Sequence, residues 1–236
     1  MTDYERNETY ALFDTPKALL KQEKLVSAGH RVIVFPSPVI DRSDAAETVG
    51  SANDFDWVVF ADAVSADTHL ERPRAVEELE TVRVCAVGET VADRLRRFHV
   101  HSDVIPTRIN AANVVESVSE YESNLSGVKI LVIKGAGIDE EIVNGFENAG
   151  ASVSAENVYT PVYANRVESA KSKSALLGGM IDRFCFCETE DVFRFRVLFP
   201  RADPADLLAE VEIIATDGET FRALCECGLK PKMEKV

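Results

Sequence analysis

An internal repeat constrains this chain more than any other feature of its sequence. Ala28-Gly29-x-x-Val32 recurs as Ala149-Gly150-x-x-Val153, an offset of 121 between Gly29 and Gly150. Phe60-Ala61-Asp62 recurs as Phe186-Cys187-Glu188 with an offset of 126, and the helical run around Leu95 recurs around Leu224 with an offset of 129. These two helices lead to similar exits, one through Val104-Ile105-Pro106 and the other through Leu229-Lys230-Pro231. Three marker pairs in one order favour two copies of a single unit. At 236 residues, the chain gives each copy about 110–120 residues, enough to bury a core.

The unit is rich in alternating strand and helix signals. Apolar runs at Tyr10–Phe13, Arg31–Phe35, Trp57–Phe60, Val82–Val87, Val104–Ile105, Lys129–Ile133, Ser152–Val158, Arg183–Cys187 and Glu212–Ala215 are predicted strands. Between them lie amphipathic stretches with helical period, among them Lys17–Ala28, Thr90–Phe98, Ala111–Glu122, Glu140–Ala149 and Thr220–Cys227. This alternation is the mark of an α/β protein. Gly29, Gly150 and Gly228 stand where helices end, because glycine enters the left-handed C′ conformation without steric penalty. Phe35-Pro36-Ser37-Pro38-Val39 and Val158-Tyr159-Thr160-Pro161-Val162 are predicted extended connectors, since proline and the residue before it favour extended backbone.

Charge and cysteine content narrow the function. With 26 Lys and Arg against 40 Asp and Glu, the formal charge is −14, which argues against duplex nucleic acid because phosphate neutralisation needs clustered cations. No apolar run approaches the ~18 residues of a membrane span. The start, Met1 to Arg6, lacks the basic-then-apolar form of a signal peptide, so a cytoplasmic protein with five reduced thiols is expected. Cys185/Cys187 and Cys225/Cys227 invite a zinc reading. A strand puts the first pair on one face, but a helix points the second pair about 200° apart. Buried structural thiols are therefore expected, and no metal. His99 and His101 read as a solvated loop. Neither GxGxxG nor GxxxxGK[ST] occurs, which leaves nucleotide binding little support.

The ordered markers resemble the uroporphyrinogen-III synthase family over nearly the whole chain. Its early Thr-Arg-Pro corresponds to Asp14-Thr15-Pro16, and its "L…L…G…v…P" run to Leu20, Leu25, Gly29, Val32 and Pro36. "DwviFTS" matches Asp56 through Asp62, "avGxxTAxxL" matches Ala86 through Leu95, and "kvLllrG…Ga.v…vY" matches Lys129 through Tyr159. The second "FTS" falls on Phe186-Cys187-Glu188 and the second "GxxTaxxL" on Asp217, Thr220, Phe221 and Leu224. There are departures. The Arg of Thr-Arg-Pro is absent, both Ser positions carry acids (Asp62 and Glu188), and the first GxxT has Val91 at the Thr position beside Thr90. The second GxxT has Asp217 for Gly, followed by Gly218.

The resemblance implies two similar flavodoxin-like domains with parallel sheets, joined by a two-stranded linker, the first domain discontinuous. Residues 1–35 and 165–236 would form domain 1, residues 40–158 domain 2, and residues 36–39 and 159–164 the linkers. It implies a monomeric, cofactor-free enzyme of haem biosynthesis that acts on a linear tetrapyrrole. Hydroxymethylbilane loses its hydroxyl as water and closes with inversion of the terminal pyrrole ring. Pyrrole lone pairs drive hydroxyl loss, so the protein works mainly by orientation with modest proton donation.

The substrate's eight carboxylates require cations or backbone N–H groups at loop–helix junctions. Gly88 with Thr90, Gly218 with Thr220, and Gly135-Ala136-Gly137 are such junctions. Thr90 and Thr220 read equally well as plain helix caps. Lys134 is a candidate carboxylate partner or a solvated strand-end lysine, and Ser37 of the first connector joins the binding set. The resemblance gives Tyr159 the catalytic role, a phenol near the departing hydroxyl, with strand packing as the alternative. In a binding cleft, Asp62 and Glu188 would repel the substrate. That keeps open a second reading, a non-catalytic relative binding a ligand or partner between its domains. A tandem of receiver-like domains split near residue 125 fits less well, because the proline stretches lie inside each repeat.

Overall fold

A computed structural model describes residues 7–42 and 50–234, so the polar N-terminal hexapeptide read above lies outside the described residues. The chain divides into two compact units, Met1–Val39 with Tyr163–Val236, and Ile40–Val162. The first opens with β1 (Thr9–Phe13), α1 (Pro16–Ser27) and β2 (Arg31–Phe35). At the boundary comes β3 (Val39–Asp41), and the second unit continues with β4 (Trp57–Phe60), α2 (Ala63–Leu70), α3 (Ala75–Glu78), β5 (Arg83–Ala86) and α4 (Glu89–Arg97). It closes with α5 (Ala111–Glu122), β6 (Lys129–Gly135), α6 (Glu140–Asn148) and β7 (Ser152–Val162). The first unit then resumes with α7 (Arg166–Leu177), β8 (Arg183–Phe186), α8 (Glu190–Leu198), α9 (Pro204–Leu207), β9 (Glu212–Ala215), α10 (Gly218–Glu226) and β10 (Lys232–Met233).

Both sheets carry one flavodoxin-like strand order, entered at different points. In the first unit the order β2-β1-β8-β9-β10 is parallel throughout. In the second, β7-β6-β4-β5 is parallel, Val104 bridges in parallel to Cys85 of β5, and β3 flanks β7. The repeat markers give the correspondence. The glycines ending α1 and α6, Gly29 and Gly150, adopt φ of 88° and 93°, so β2 corresponds to β7. Likewise β1 corresponds to β6, β8 to β4 and β9 to β5. The second copy is thus a circular permutation of the first.

Each sheet buries its two faces under helices. In the second unit Trp57, Val59, Ile130 and Val132 pack with Val114 and Val118 of α5 and Ile142 and Phe146 of α6. In the first, Tyr10, Leu12, Cys185, Cys187 and Ile214 pack with Ala18 and Leu25 of α1. The thiols of Cys185 and Cys187 therefore share the predicted face, and burial pushes both up to about 12. On α10, Cys225 is exposed and Cys227 buried. Among the described residues, no group of three or more His, Cys, Asp or Glu side chains is placed to hold a metal ion. No helix among them is long and apolar enough to cross a membrane.

The predicted strand at Val104–Ile105 is a single bridge. Pro106 follows at once, and it has no N–H to extend a ladder. The edge strands β3 and β10 and the helices α2, α3, α7, α8 and α9 are not among the predicted elements. α7 explains why. It turns Ser169 and Ser172 inward while exposing Val167 and Leu177, so it lacks the segregated apolar stripe on which a helical pattern depends.

Candidate functional site

Side chains able to do chemistry collect at the carboxyl ends of the parallel strands, where open α/β sheets bind ligands. In the second unit, β6 and β7 pair in register up to Lys134↔Asn157 and then slip, so that Gly135 faces Tyr159. The slip lays the Tyr159 ring against Gly135, where a Cβ would overlap the ring and the Ile138 side chain. Glycine is required there by close approach. The Ala136 N–H donates to the Tyr159 carbonyl at 2.8 Å. Gly135-Ala136-Gly137 is thus a turn clamped by Tyr159, and the expected free anion-binding amide is already used at Ala136.

Tyr159 itself is buried, and its hydroxyl donates to Asp62 Oδ2 at 2.9 Å. Asp62 is the N-cap of α2. Its Oδ1 accepts from the Ser65 N–H at 2.8 Å, while Ser65 Oγ receives the Asp62 N–H at 3.2 Å. This is a reciprocal capping box. The acid at the family's Ser position therefore has two donors of its own and is no loose negative charge.

Lys134 is 1% exposed, which overturns its reading as a solvated strand-end lysine. β6 is central in its sheet, and the ammonium is turned inward onto Glu140 Oε1 at 2.6 Å, Asn157 Oδ1 at 3.0 Å and the Gly135 carbonyl at 3.4 Å. Nothing local in the sequence marks Glu140 or Asn157 as its partners. Asn157 arrives from the neighbouring strand and Glu140 from the first turn of α6.

Neither threonine is a helix cap. α4 is capped by Gly88, with φ of 92° and no side-chain bond, and Thr90 sits one residue inside the helix. α10 is capped by Asp217, whose carboxylate accepts from the Thr220 N–H at 2.8 Å. Asp is a stronger N-cap than the glycine of the family pattern, which accounts for that departure. Thr220 is fully buried, and its hydroxyl has no hydrogen-bond partner. Gly218, by contrast, is exposed. In the same unit the Ser37 N–H donates to Asp14 Oδ1 at 2.5 Å, and the Ser37 hydroxyl is buried without a partner.

Glu188, the other acid at a family Ser position, is also matched. Arg194 Nη1 lies 2.7 Å from it and Lys17 Nζ 3.6 Å. Arg194 also holds Asp191 at 2.6 Å, and Asp191 accepts the Cys187 N–H at 2.8 Å. Burial raises the Asp191 carboxyl above its ordinary range against those donors. Arg194 and Asp191 lie on α8, a helix that the sequence pattern does not predict. His99 takes a left-handed backbone, φ 62°, and His101 is exposed in a loop.

Two flavodoxin-like units built from one repeat, one of them permuted, with polar side chains gathered at the strand ends, define a tandem α/β protein of the class that binds ligands at strand ends. The family model described as uroporphyrinogen-III synthase HemD matches residues 21–235, and the chain belongs to that family. A uroporphyrinogen-III synthase of Chlorobaculum parvum is 24% identical over 215 residues, covering 88% of this chain and 84% of that one. Among solved structures, a Thermus thermophilus uroporphyrinogen III synthase superimposes with a TM-score of 0.61 at 16% identity, covering 97% of this chain and 93% of the other. A separate crystal structure of the wild-type Thermus thermophilus enzyme gives 0.58 at 17% identity, covering 96% and 91%. At such identities the structural likeness establishes the fold.

Proposed function

We propose that this chain cyclises hydroxymethylbilane to uroporphyrinogen III, with loss of water and inversion of the terminal pyrrole ring. The observation that carries this is the family match over residues 21–235, on a fold that retains both copies of the repeat. The reaction needs the linear tetrapyrrole folded into the inverting geometry and a hydrogen-bond donor for the departing hydroxyl. Binding falls to the strand-end groups: Gly88 and Thr90 at α4, Lys134 and Gly135 at the end of β6, and Ser37, Gly218 and Thr220 in the other unit. Tyr159 is the proposed donor, and it reaches the departing hydroxyl by exchanging Asp62 for it. A phenol, with a pKa near 10, enters that exchange protonated at neutral pH.

The non-catalytic reading rested on the missing Arg of Thr-Arg-Pro and on Asp62 and Glu188 as repulsive charges. Both acids are held by donors within their own unit, which removes the repulsion as support for it. The test is incubation with enzymatically generated hydroxymethylbilane, followed by separation of the uroporphyrin isomers after oxidation. Type III product above the spontaneous type I background is expected. Type I alone at every enzyme level overturns the proposal. Tyr159→Phe is expected to lower kcat by at least about 10-fold while KM moves little.

A further inference from the structure

Lys134 has an unusual environment for a binding lysine. Its side chain is almost fully buried, yet the carboxylate that neutralises it, on Glu140, is 47% exposed. A buried ammonium left without an anion is strongly destabilising, so Lys134 needs a carboxylate at all times. Its other two contacts, Asn157 Oδ1 and the Gly135 carbonyl, are neutral oxygens that satisfy hydrogen bonds without cancelling the charge. Glu140 is the first residue of α6, and its half-solvated side chain can rotate into water without unwinding the helix. The pair thus combines a fixed cation with a removable anion.

We infer that Glu140 is an exchangeable counter-ion, displaced from the Lys134 ammonium by a carboxylate of the bound tetrapyrrole. This rests on the reading of the chain as a synthase acting on a polycarboxylate. It adds a residue that sets affinity: Glu140 occupies the carboxylate subsite in the free protein and keeps monovalent anions out. Only a ligand held by other carboxylates elsewhere competes with a tethered one, because the tether gives Glu140 a high effective concentration. The exchange also reconciles a −14 chain with an anionic substrate, since one carboxylate leaves the cation as another arrives.

The test is Glu140→Gln, which keeps the shape and removes the charge. KM for hydroxymethylbilane is expected to fall about five-fold, since a neutral amide competes less well than a charge-assisted bond, with a smaller change in kcat. Calorimetric titration with uroporphyrin III, an octacarboxylate that does not react, is expected to show a Kd lower by the same factor. Glu140→Asp retains the charge but shortens the reach, and an intermediate Kd is expected; this variant decides the matter if Glu140→Gln does not fold. Lys134→Met is expected to weaken uroporphyrin binding about ten-fold or more.

An unchanged or raised KM and Kd in folded Glu140→Gln, or in Glu140→Asp if the first does not fold, overturns the exchange. Wild-type protein that yields type I product alone, while Glu140→Gln still tightens uroporphyrin binding, overturns the synthase reading and leaves the exchange standing.

Discussion

The two copies of the repeat solve the same packing problem in opposite ways. At the end of β2 the first unit buries Phe35, and the offset of 121 that relates Gly29 to Gly150 places Glu156 there in the second. The offset of 126 that relates Phe60 to Phe186 places His69 opposite Phe195 and Arg72 opposite Leu198. The first unit is filled by aromatic rings: Phe35 lies 5.1 Å from Phe184, Phe184 lies 5.4 Å from Phe195, and Phe186 lies 5.8 Å from Phe195. In the second, Arg72 Nη1 lies 2.5 Å from Glu156 Oε1 and its other nitrogen contacts the His69 ring, which packs edge-on against Phe60 at 5.5 Å. Burial, reinforced by Arg72, depresses the His69 imidazole to about 3, so the ring is neutral at pH 7. Its contact with Glu156 is therefore not an ion pair there. One backbone accepts either a dry aromatic cluster or a buried carboxylate paired with a half-buried guanidinium.

The largest effect is expected where the apolar solution is emptied. Phe35→Ala should cost about 4 kcal/mol in urea unfolding, because the cavity is roofed by rings that cannot collapse into it. Next comes Arg72→Leu, expected to cost about 3 kcal/mol by stranding the buried Glu156 carboxylate. Adding Glu156→Phe and His69→Phe installs the first unit's residue types, and most of that loss should return. If the triple variant is no more stable than Arg72→Leu alone, the two sites are not interchangeable and the comparison breaks.

Proton linkage gives a further effect. The His69 contribution is full above about 6.5, the ordinary histidine value, and is lost as pH falls toward about 3. Burial raises the Glu156 carboxyl, so its contribution is full below the ordinary carboxylate range and is lost as pH rises through the folded value. His69→Phe removes the first and leaves the second. Its urea midpoint should therefore fall less than that of the parent between pH 6.5 and 4.5. Equal falls would mean that His69 is not the neutral buried group described.

The smallest effect sharpens the contrast at the strand–helix junction one turn away. Asp62 caps α2 through Ser65, whereas at the matching place in the first unit Asp191 reaches back to the Cys187 N–H. Ser65→Ala should cost only about 1 kcal/mol in urea unfolding, since the Asp62 carboxylate keeps its bond to the backbone N–H at 65.

Much of the architecture was legible because its signals are local. Gly29 and Gly150 are read from helix-end chemistry alone, and Tyr10–Phe13 or Lys129–Ile133 from apolar runs. α7 was not legible, because it buries Ser169 and Ser172 beside Ala175 and Leu176 while Val167 and Leu177 face outward, so no apolar stripe forms. At the strand ends, the position of Asp62 in the motif was readable, but its donors were not. Tyr159 lies 97 positions away, and the slip between β6 and β7 that seats it on Gly135 leaves no mark in the residue order. The sequence leaves Lys134 open between a carboxylate partner and a solvated lysine for the same reason: its surroundings are set only when the neighbouring strand supplies Asn157.

By itself, then, the sequence determined that the chain is one α/β unit used twice, where its helices stop, and which family it joins. These follow from periodicity, glycine geometry and ordered motifs, all properties of neighbours along the chain. Only the tertiary structure decided how each copy fills its interior and neutralises its charges. Arg72 meets Glu156 across 84 positions because β7, β6 and β4 lie side by side with α2 against them. Burial then makes each charged group depend on a partner that strand order alone can deliver.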